Sequence, residues 1–273
     1  MGFFIKKCNY GEGTTMAYDY ESFKADVYKL TDIDLNLYKE RQMKRRIESL
    51  VQRKGHKDFQ SFYLAMKTDP ELLKSFISYL TINVSEFYRN PAQWQLFEKD
   101  MLPYLEKNFG RRLNIWSAAC STGDEPYTIA MILAKKFPLS SINITATDID
   151  DDVLAFAKEG FYSAKSVERL PKDLLSKHFT QVDKGYQIND DIKKCVTFKK
   201  HNLLKDRYPA NMHMIVCRNV VIYFTDEAKD EVYKKFHTTL ATKGVLFIGN
   251  TEQIVHAKEI GFSAVDSFFY EKV

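Results

Sequence analysis

The sequence predicts an all-helical N-terminal domain followed by an α/β domain of Rossmann-like architecture, which carries a small antiparallel β subdomain. Residues 18–79 show apolar side chains at helical spacing and no strand pattern. From residue 113 onward, buried-strand patterns alternate with helical patterns, which is typical of βαβ units around a parallel sheet. Turns and short strands interrupt this alternation between residues 160 and 200, and we assign the antiparallel subdomain to them.

The predicted boundaries divide the 273 residues into three parts. Residues 1–17 lack periodicity and are expected to form a flexible tail. Residues 18–90 form the helical domain, which ends in a linker motif, and residues 91–273 form the α/β domain. The length suffices for two hydrophobic cores.

Composition indicates a protein of the cytoplasm. No run approaches the ~18–20 apolar residues of a membrane span, and the first residues have too short an apolar core for a signal peptide. The four cysteines show neither CxxC pairs nor the density of a disulfide framework, which fits a reducing compartment. The six histidines show no ligand spacing such as HExxH, so we expect no metal site.

The positive charge is concentrated in one predicted helix, which we call the basic helix. Eight basic and two acidic residues lie between positions 39 and 57, so this segment carries +6 and the rest of the chain −2. Lys44, Arg45 and Arg46 form its centre. Such a segment is either a solvated helix face or a docking surface for an acidic partner, protein or nucleic acid.

Residues 114–127 predict a strand, a loop of small residues and a helix that begins near Pro126. A dinucleotide site would need G-x-G-x-x-G, whereas this loop has the single glycine Gly123 followed by Asp124 and Glu125. Two carboxylates would repel a pyrophosphate but attract a positively charged ligand, such as the ammonium or sulfonium of S-adenosylmethionine. Alternatively, the two acids merely complement the helix dipole.

Asp148 ends the second predicted strand, residues 143–147, and lies 23 residues after Glu125. In Rossmann-like folds an acid at this position accepts hydrogen bonds from ribose hydroxyls. A rival interpretation is a calcium loop, because four acids match positions 1, 3, 5 and 12 of an EF-hand: Asp148, Asp150, Asp152 and Glu159. The required glycine is replaced by Val153 in a stretch with a helical pattern, which argues against calcium.

The rest of the α/β domain predicts further strands and a helix. Residues 186–188 and 196–199 are expected to be short strands of the antiparallel subdomain. Residues 212–217 form a buried strand, a helix follows from Thr225 to about Leu240, and residues 262–270 predict a terminal edge strand.

Several motifs together resemble the CheR family, S-adenosylmethionine-dependent methyltransferases that esterify glutamates on bacterial chemoreceptors. The resemblance lies in residues 117–127, 146–150, 202–204 and 217–224. Residues 83–89 are similar to that family's Asn-x-Thr-x-Phe-Phe-Arg motif, although taken alone they are equally typical of a linker. The motifs occur in family order over roughly residues 20–270. The resemblance implies a class I methyltransferase domain, S-adenosylmethionine as cofactor, S-adenosylhomocysteine as product and a role in chemotactic adaptation.

The resemblance also implies the site residues. Cofactor contacts are expected at Asn83, Ser85, Arg89, Glu125, Asp148, Asn202, Leu203, Arg218 and Asn219. Arg89 is expected to orient the cofactor end and the incoming carboxylate, and Tyr223 to line the acceptor site. Two positions depart from the family pattern, since Ser85 replaces a threonine and Asp124 the first of two glutamates. Of the two acids, Glu125 is the one expected to contact the cofactor.

The implied partner is the cytoplasmic domain of a chemoreceptor, whose Glu- and Gln-rich methylation region would meet the basic helix. In some family members the antiparallel subdomain binds a receptor pentapeptide, but the turn at residues 183–186 is shorter here, which argues against a tether. A nucleic-acid methyltransferase would carry an Asn/Asp-Pro-Pro-aromatic motif or a nucleophilic Pro-Cys, and both are missing. A non-catalytic adaptor is disfavoured because residues 83–89 and Glu125 are intact.

Overall fold

The structure is a computed structural model that describes residues 18–273, so the predicted tail, residues 1–17, lies outside the described residues. The N-terminal part is all-helical, as predicted, with its apolar stripes turned inward around the fully buried Phe23, Phe62 and Phe76. Its four helices are α1 (Tyr20–Thr31), α2 (Glu40–Arg53), α3 (Phe59–Thr68) and α4 (Pro70–Thr81).

Aspartate side chains cap the N-termini of α1, α3 and α4, whereas α2 follows Lys39 without a side-chain cap. Asp69 accepts hydrogen bonds from the backbone N–H groups of Glu71 and Leu72, with Pro70 in the first turn of α4. Asp34 caps a short 3-10 helix, Leu35–Leu37. Asp32 instead ends α1 with a left-handed φ of 61°, a conformation that Asp tolerates better than most residues.

The α/β part begins with a long helix interrupted by one π-helical turn, Phe97–Met101. Its elements, in chain order, are α5 (Pro91–Leu96), α6 (Leu102–Phe109), β1 (Asn114–Ala118), α7 (Asp124–Leu133), β2 (Asn143–Asp148), α8 (Asp151–Glu159), β3 (Phe161–Tyr162), α9 (Lys172–His178), β4 (Phe179–Val182), β5 (Gly185–Ile188), α10 (Asp190–Lys193), β6 (Val196–Lys200), β7 (Met212–Cys217), α11 (Asp226–Thr239), β8 (Leu240–Ile248), α12 (Ala257–Ile260), β9 (Phe262–Asp266) and β10 (Phe269–Lys272).

Seven strands form the main sheet in the order β6-β2-β1-β7-β8-β10-β9. The first five strands in this order, β6, β2, β1, β7 and β8, are parallel to one another. β10 is antiparallel to both of its neighbours, β8 and β9. β1 is the middle one of these five parallel strands. From β1 the chain moves outward to β2 and β6 on one side and then to β7 and β8 on the other, which creates a switch point beside β1 where such folds bind ligands. This topology confirms the predicted Rossmann-like fold.

The sheet is covered on both faces. Ile115 and Trp116 are neighbours in β1, yet they lie in different hydrophobic clusters, because successive side chains of a strand point to opposite faces. Both are almost fully buried. A parallel sheet buried on both sides explains why β1 and β7 carry consecutive apolar residues, Ile115–Trp116 and 214–217, instead of a strict alternation.

The antiparallel subdomain is a three-stranded sheet in the order β3-β5-β4 and ends at Ile188. The predicted extension to residue 200 was wrong, because β6 pairs in parallel with β2 at the edge of the main sheet. β6 ends in the lysines 199 and 200, and such half-exposed edge strands resemble antiparallel strands in sequence. The predicted single strand at residues 262–270 is in fact the hairpin of β9 and β10.

Residues 37–39 of the helical part, here called the bridge segment, bind the α/β part through backbone hydrogen bonds. Tyr38 forms an isolated antiparallel bridge with Phe224. The Lys39 N–H donates to the Tyr223 carbonyl at 2.9 Å, and the Thr225 N–H donates to the Leu37 carbonyl at 2.9 Å. The helical part therefore lies against the carboxyl ends of the parallel strands. Among the described residues, every helix is too short or too polar to cross a lipid bilayer.

Candidate active site

One cavity lies at the carboxyl ends of the parallel strands, between the α/β part and the helical part. Ser121 follows β1, Asp148 ends β2, His201 follows β6 and Arg218 follows β7, and all four line this cavity. The structure also brings every predicted site residue to its wall: Asn83, Ser85, Arg89, Glu125, Asp148, Asn202, Leu203, Arg218, Asn219 and Tyr223.

The loop between β1 and α7 has an unusual backbone. Ala119, Ser121 and Gly123 adopt left-handed φ values of 60°, 49° and 88°. A Cβ at Gly123 would approach the Cβ of Ala157 to 2.8 Å, so the single glycine of the loop is required by packing as well as by φ. Left-handed non-glycine residues cost free energy and cluster at functional sites. The strained backbone therefore favours a ligand-binding loop over a plain strand–helix turn.

Asp148 is buried and held by the backbone. Its Oδ2 accepts a hydrogen bond from the Ser121 N–H at 2.8 Å, and its Oδ1 accepts one from the Asp150 N–H at 3.1 Å. Burial raises the pKa of Asp148, while these backbone N–H groups lower it again in part. Each carboxylate oxygen keeps a free lone pair, which suits an acceptor of hydroxyl hydrogen bonds.

Glu125 and Asp124 lie in different environments. The Glu125 Oε1 accepts from the Ser117 hydroxyl at 2.9 Å, and its Oε2 lies 3.5 Å from Nη1 of Arg218. Burial raises the pKa of Glu125, and the Arg218 guanidinium opposes that rise. Asp124 is only 1% exposed, accepts from the Thr122 hydroxyl at 2.5 Å and is not part of the cavity wall. Of the two acids, Glu125 is the one placed to meet a ligand.

Arg218 is a buried scaffold for the site. Its Nη2 donates to the Arg89 carbonyl at 2.8 Å and to Oε1 of Gln93 at 2.6 Å. Its guanidinium also lies 4.9 Å from the ring centroids of both Trp94 and Phe247. Through these contacts Arg218 connects β7 to the segment that carries Arg89.

The segment of residues 82–90 is anchored rather than loose. Ile82, Tyr88 and Asn90 have left-handed φ values of 49°, 55° and 61°. The Asn83 amide donates to Oδ2 of Asp150 at 2.8 Å, and Nη1 of Arg89 donates to the carbonyl of residue 84 at 3.2 Å. A strained segment held in place at the mouth of a cavity favours a positioning role over that of a plain linker.

Sequence reasoning missed two contributors. The Glu252 carboxylate accepts from the N–H groups of Gly249 at 2.7 Å, Asn219 at 2.9 Å and Val220 at 3.0 Å, and so it holds Asn219 in its left-handed conformation. Tyr38 reaches the cavity from the helical part. Both act over long sequence separations, and no local spacing could have revealed them.

Several buried polar atoms of the wall have no partner among the described residues: Oγ of Ser121, Oδ1 of Asn219, Nε of Arg218, Nε1 of Trp94 and both ring nitrogens of His201. Buried polar groups rarely stay unpaired, so this wall is suited to a polar ligand. The carboxylates of Glu125 and Asp148 add acceptors for a cationic group and for hydroxyls. S-adenosylmethionine offers both, and the residues present fit it.

Metal binding has no support in residues 18–273, where no group of three or more His, Cys, Asp or Glu side chains could hold an ion. The calcium alternative fails because α8 occupies the required loop and Asp150 is its N-cap. The described cysteines, Cys120, Cys195 and Cys217, are buried and free.

Comparison with known proteins identifies two family matches. Residues 18–81 match the family described as "CheR methyltransferase, all-alpha domain", and residues 83–268 match "CheR methyltransferase, SAM binding domain". A chemotaxis protein methyltransferase of Listeria monocytogenes is 42% identical over 93% of this chain and 97% of its own. One of Borreliella burgdorferi is 33% identical over 86% and 88%. Chemotaxis protein methyltransferase 2 of Vibrio cholerae is 31% identical over 93% and 89%.

Proposed function

This chain belongs to the CheR family of S-adenosylmethionine-dependent methyltransferases, and from that premise we propose that it methylates glutamate side chains of chemoreceptors. The products are glutamate methyl esters, which serve chemotactic adaptation. The observation that carries the proposal is the convergence of ten residues, from both parts of the chain, on one cavity with unpaired polar atoms. The three relatives compared above carry the name chemotaxis protein methyltransferase, which supports the receptor as substrate.

The proposed cofactor site has an acidic side, which would bind the ribose and the amino acid end, and a side that would bind the adenine. Asp148 would accept hydrogen bonds from ribose hydroxyls, and Glu125 would face the cationic amino acid end. Asn202 and Leu203 follow β6, where they would contact the adenine base of S-adenosylmethionine. The remaining proposed contacts are Asn83, Ser85, Arg89, Arg218 and Asn219. When bound, S-adenosylmethionine supplies a methyl group already activated by its sulfonium.

The acceptor needs positioning rather than activation. A glutamate side chain is ionised at neutral pH, so no general base is required. The Arg89 guanidinium would orient the carboxylate in a bidentate manner, and Tyr223 would line the acceptor side. Correct alignment of two reactants can supply about 7–11 kcal/mol of the barrier reduction.

The proposal is tested by incubating the protein with S-adenosylmethionine labelled in its methyl group and a purified chemoreceptor cytoplasmic domain. We expect label on the receptor that mild base releases as methanol. Base-stable label would indicate N-methylation and contradict ester formation. Binding of S-adenosylhomocysteine without any label transfer would instead favour a non-catalytic adaptor.

The proposed receptor-docking surface is the basic helix, which is α2. Arg45 is exposed. Arg46 is already engaged, since its Nη2 donates to the Tyr79 carbonyl at 2.6 Å and its guanidinium lies 4.6 Å from the Tyr79 ring. Nζ of Lys44 lies 5.4 Å from the Tyr20 ring. Of the three cations, Arg45 is the freest to meet an acidic partner.

Reversing the charge at Arg45 with Arg45→Glu is expected to weaken receptor binding several-fold at low ionic strength and less at high, because salt screens exposed charges. Affinity for the receptor domain at two salt concentrations measures this. Lys107→Glu, at an exposed position of α6, is the matched control for net charge. Equal losses for both variants would contradict a specific docking surface.

Three further assignments belong to the proposal. We assign residues 18–90 to the helical domain and residues 91–273 to the methyltransferase domain, with residues 160–188 as the subdomain within it. β4 and β5 are joined by two residues, Asp183 and Lys184, and a turn this short argues against the binding of a receptor tether. A cytoplasmic location is supported by the free, buried cysteines.

A further inference from the structure

The helical domain contributes a wall to the cofactor cavity. Besides the residues between 83 and 89 described above, Tyr38, Leu80, Thr81 and Ile82 line it from that side. Tyr38 differs from the other three because it belongs to the bridge segment and packs against the hydrophobic clusters of both domains. It therefore lies where the two domains meet over the cavity.

Tyr38 presents a hydroxyl that no side chain or backbone group of residues 18–273 engages in a hydrogen bond, and its half-buried side chain lines the cavity. Burial raises the pKa of Tyr38, and the negative charges of Asp148 and Asp34 raise it further. A phenol is protonated at neutral pH in any case, so the group is a donor. It lines the same cavity as the Asp148 carboxylate, which we assign to the ribose.

The position of Tyr38 is fixed by its surroundings. Its ring meets the Phe224 ring edge-on at 5.3 Å between centroids. On either side of it, the backbone hydrogen bonds of Leu37 and Lys39 hold the bridge segment to residues 223–225. Ile149, next to Asp148, also lines the cavity and packs against the core of the helical domain. Tyr38 and the end of β2 therefore form one rigid boundary of the cavity.

We propose that the Tyr38 hydroxyl donates a hydrogen bond to the adenosyl group of S-adenosylmethionine, so that a second segment of the helical domain, besides residues 82–90, supplies part of the cofactor site. The adenosyl group carries the required acceptors, namely its ribose oxygens and purine nitrogens. This inference rests on the proposed methyltransferase function. It assigns to Tyr38 a role that goes beyond interdomain packing.

The test is Tyr38→Phe in the full chain, which removes the donor and keeps the ring. Calorimetry with S-adenosylhomocysteine is expected to show an affinity about fivefold lower, the effect of one neutral hydrogen bond. The ligand-induced rise in melting temperature should shrink accordingly, while the melting temperature without ligand stays unchanged. The receptor KM should also stay unchanged. Tyr28→Phe makes the same change at an exposed tyrosine of α1 and is expected to have no effect.

A second variant, Tyr38→Ala, also removes the ring and should weaken S-adenosylhomocysteine binding by more than Tyr38→Phe does. Unchanged affinity in Tyr38→Phe, with or without a lower melting temperature, would show a purely structural residue and overturn the inference alone. Failure of the unmodified protein to bind S-adenosylhomocysteine would overturn the proposed function and this inference with it. The two failures are therefore distinguishable.

Discussion

Arg89→Ala is expected to lower kcat for receptor methylation about 100- to 1,000-fold, the typical cost of removing one preorganised hydrogen-bond donor from an active site. The Arg89 side chain lines the cavity and is held by a single hydrogen bond to a backbone carbonyl, 3.2 Å from Nη1. Its carbonyl is fixed separately by Arg218. The backbone of the segment should therefore keep its place when the guanidinium is lost.

Two comparisons make this prediction specific. Arg89→Lys keeps the charge without the bidentate geometry and should recover a small part of the rate. Arg169→Ala is the matched control, because Arg169 pairs with Glu86 at 3.0 Å in the same region but does not line the cavity. Initial rates of methyl transfer and melting temperatures check all three. Near-normal turnover in Arg89→Ala, or an equal loss in Arg169→Ala, would contradict the orienting role.

The parts of the site that were predictable from sequence share one physical cause. Parallel strands bring their carboxyl ends to one edge, so polar residues directly after a buried strand must meet there. Asp148 at the end of β2, Asn202 after β6 and Arg218 after β7 follow this rule. The same strand periodicity predicted the Rossmann-like topology, which the strand order confirms.

The rule fails where position depends on packing between distant segments. Glu252 orders Asn219 across 33 residues, and Tyr38 reaches the cavity because the bridge segment pairs with Phe224. Left-handed backbone at Ile82 is also invisible in the sequence, since a β-branched residue is among the least suited to it. β6 was misassigned because local alternation cannot tell an edge strand of a parallel sheet from an antiparallel one.

Asp148→Ala is expected to weaken binding of S-adenosylmethionine and S-adenosylhomocysteine by at least about 100-fold. The proposed role gives this carboxylate two hydrogen bonds from ribose hydroxyls, and bonds to a charged acceptor contribute about 1.5–3 kcal/mol each. The variant also leaves the N–H groups of Ser121 and Asp150 without their acceptor. Some loss of stability without ligand is therefore expected and must be measured separately.

Asp148→Asn separates these two effects, because the amide oxygen can still accept one of the backbone N–H bonds while the amide nitrogen cannot accept a hydroxyl hydrogen. We expect it to be more stable than Asp148→Ala and still markedly weaker in cofactor binding than the unmodified protein. Asp152→Ala removes an exposed carboxylate from the first turn of α8 and controls for net charge. Calorimetric titration with S-adenosylhomocysteine gives the affinities. If Asp148→Asn bound this ligand as tightly as Asp152→Ala, Asp148 would merely hold the loop after β1, and the ribose would have to be bound by other groups of the cavity wall.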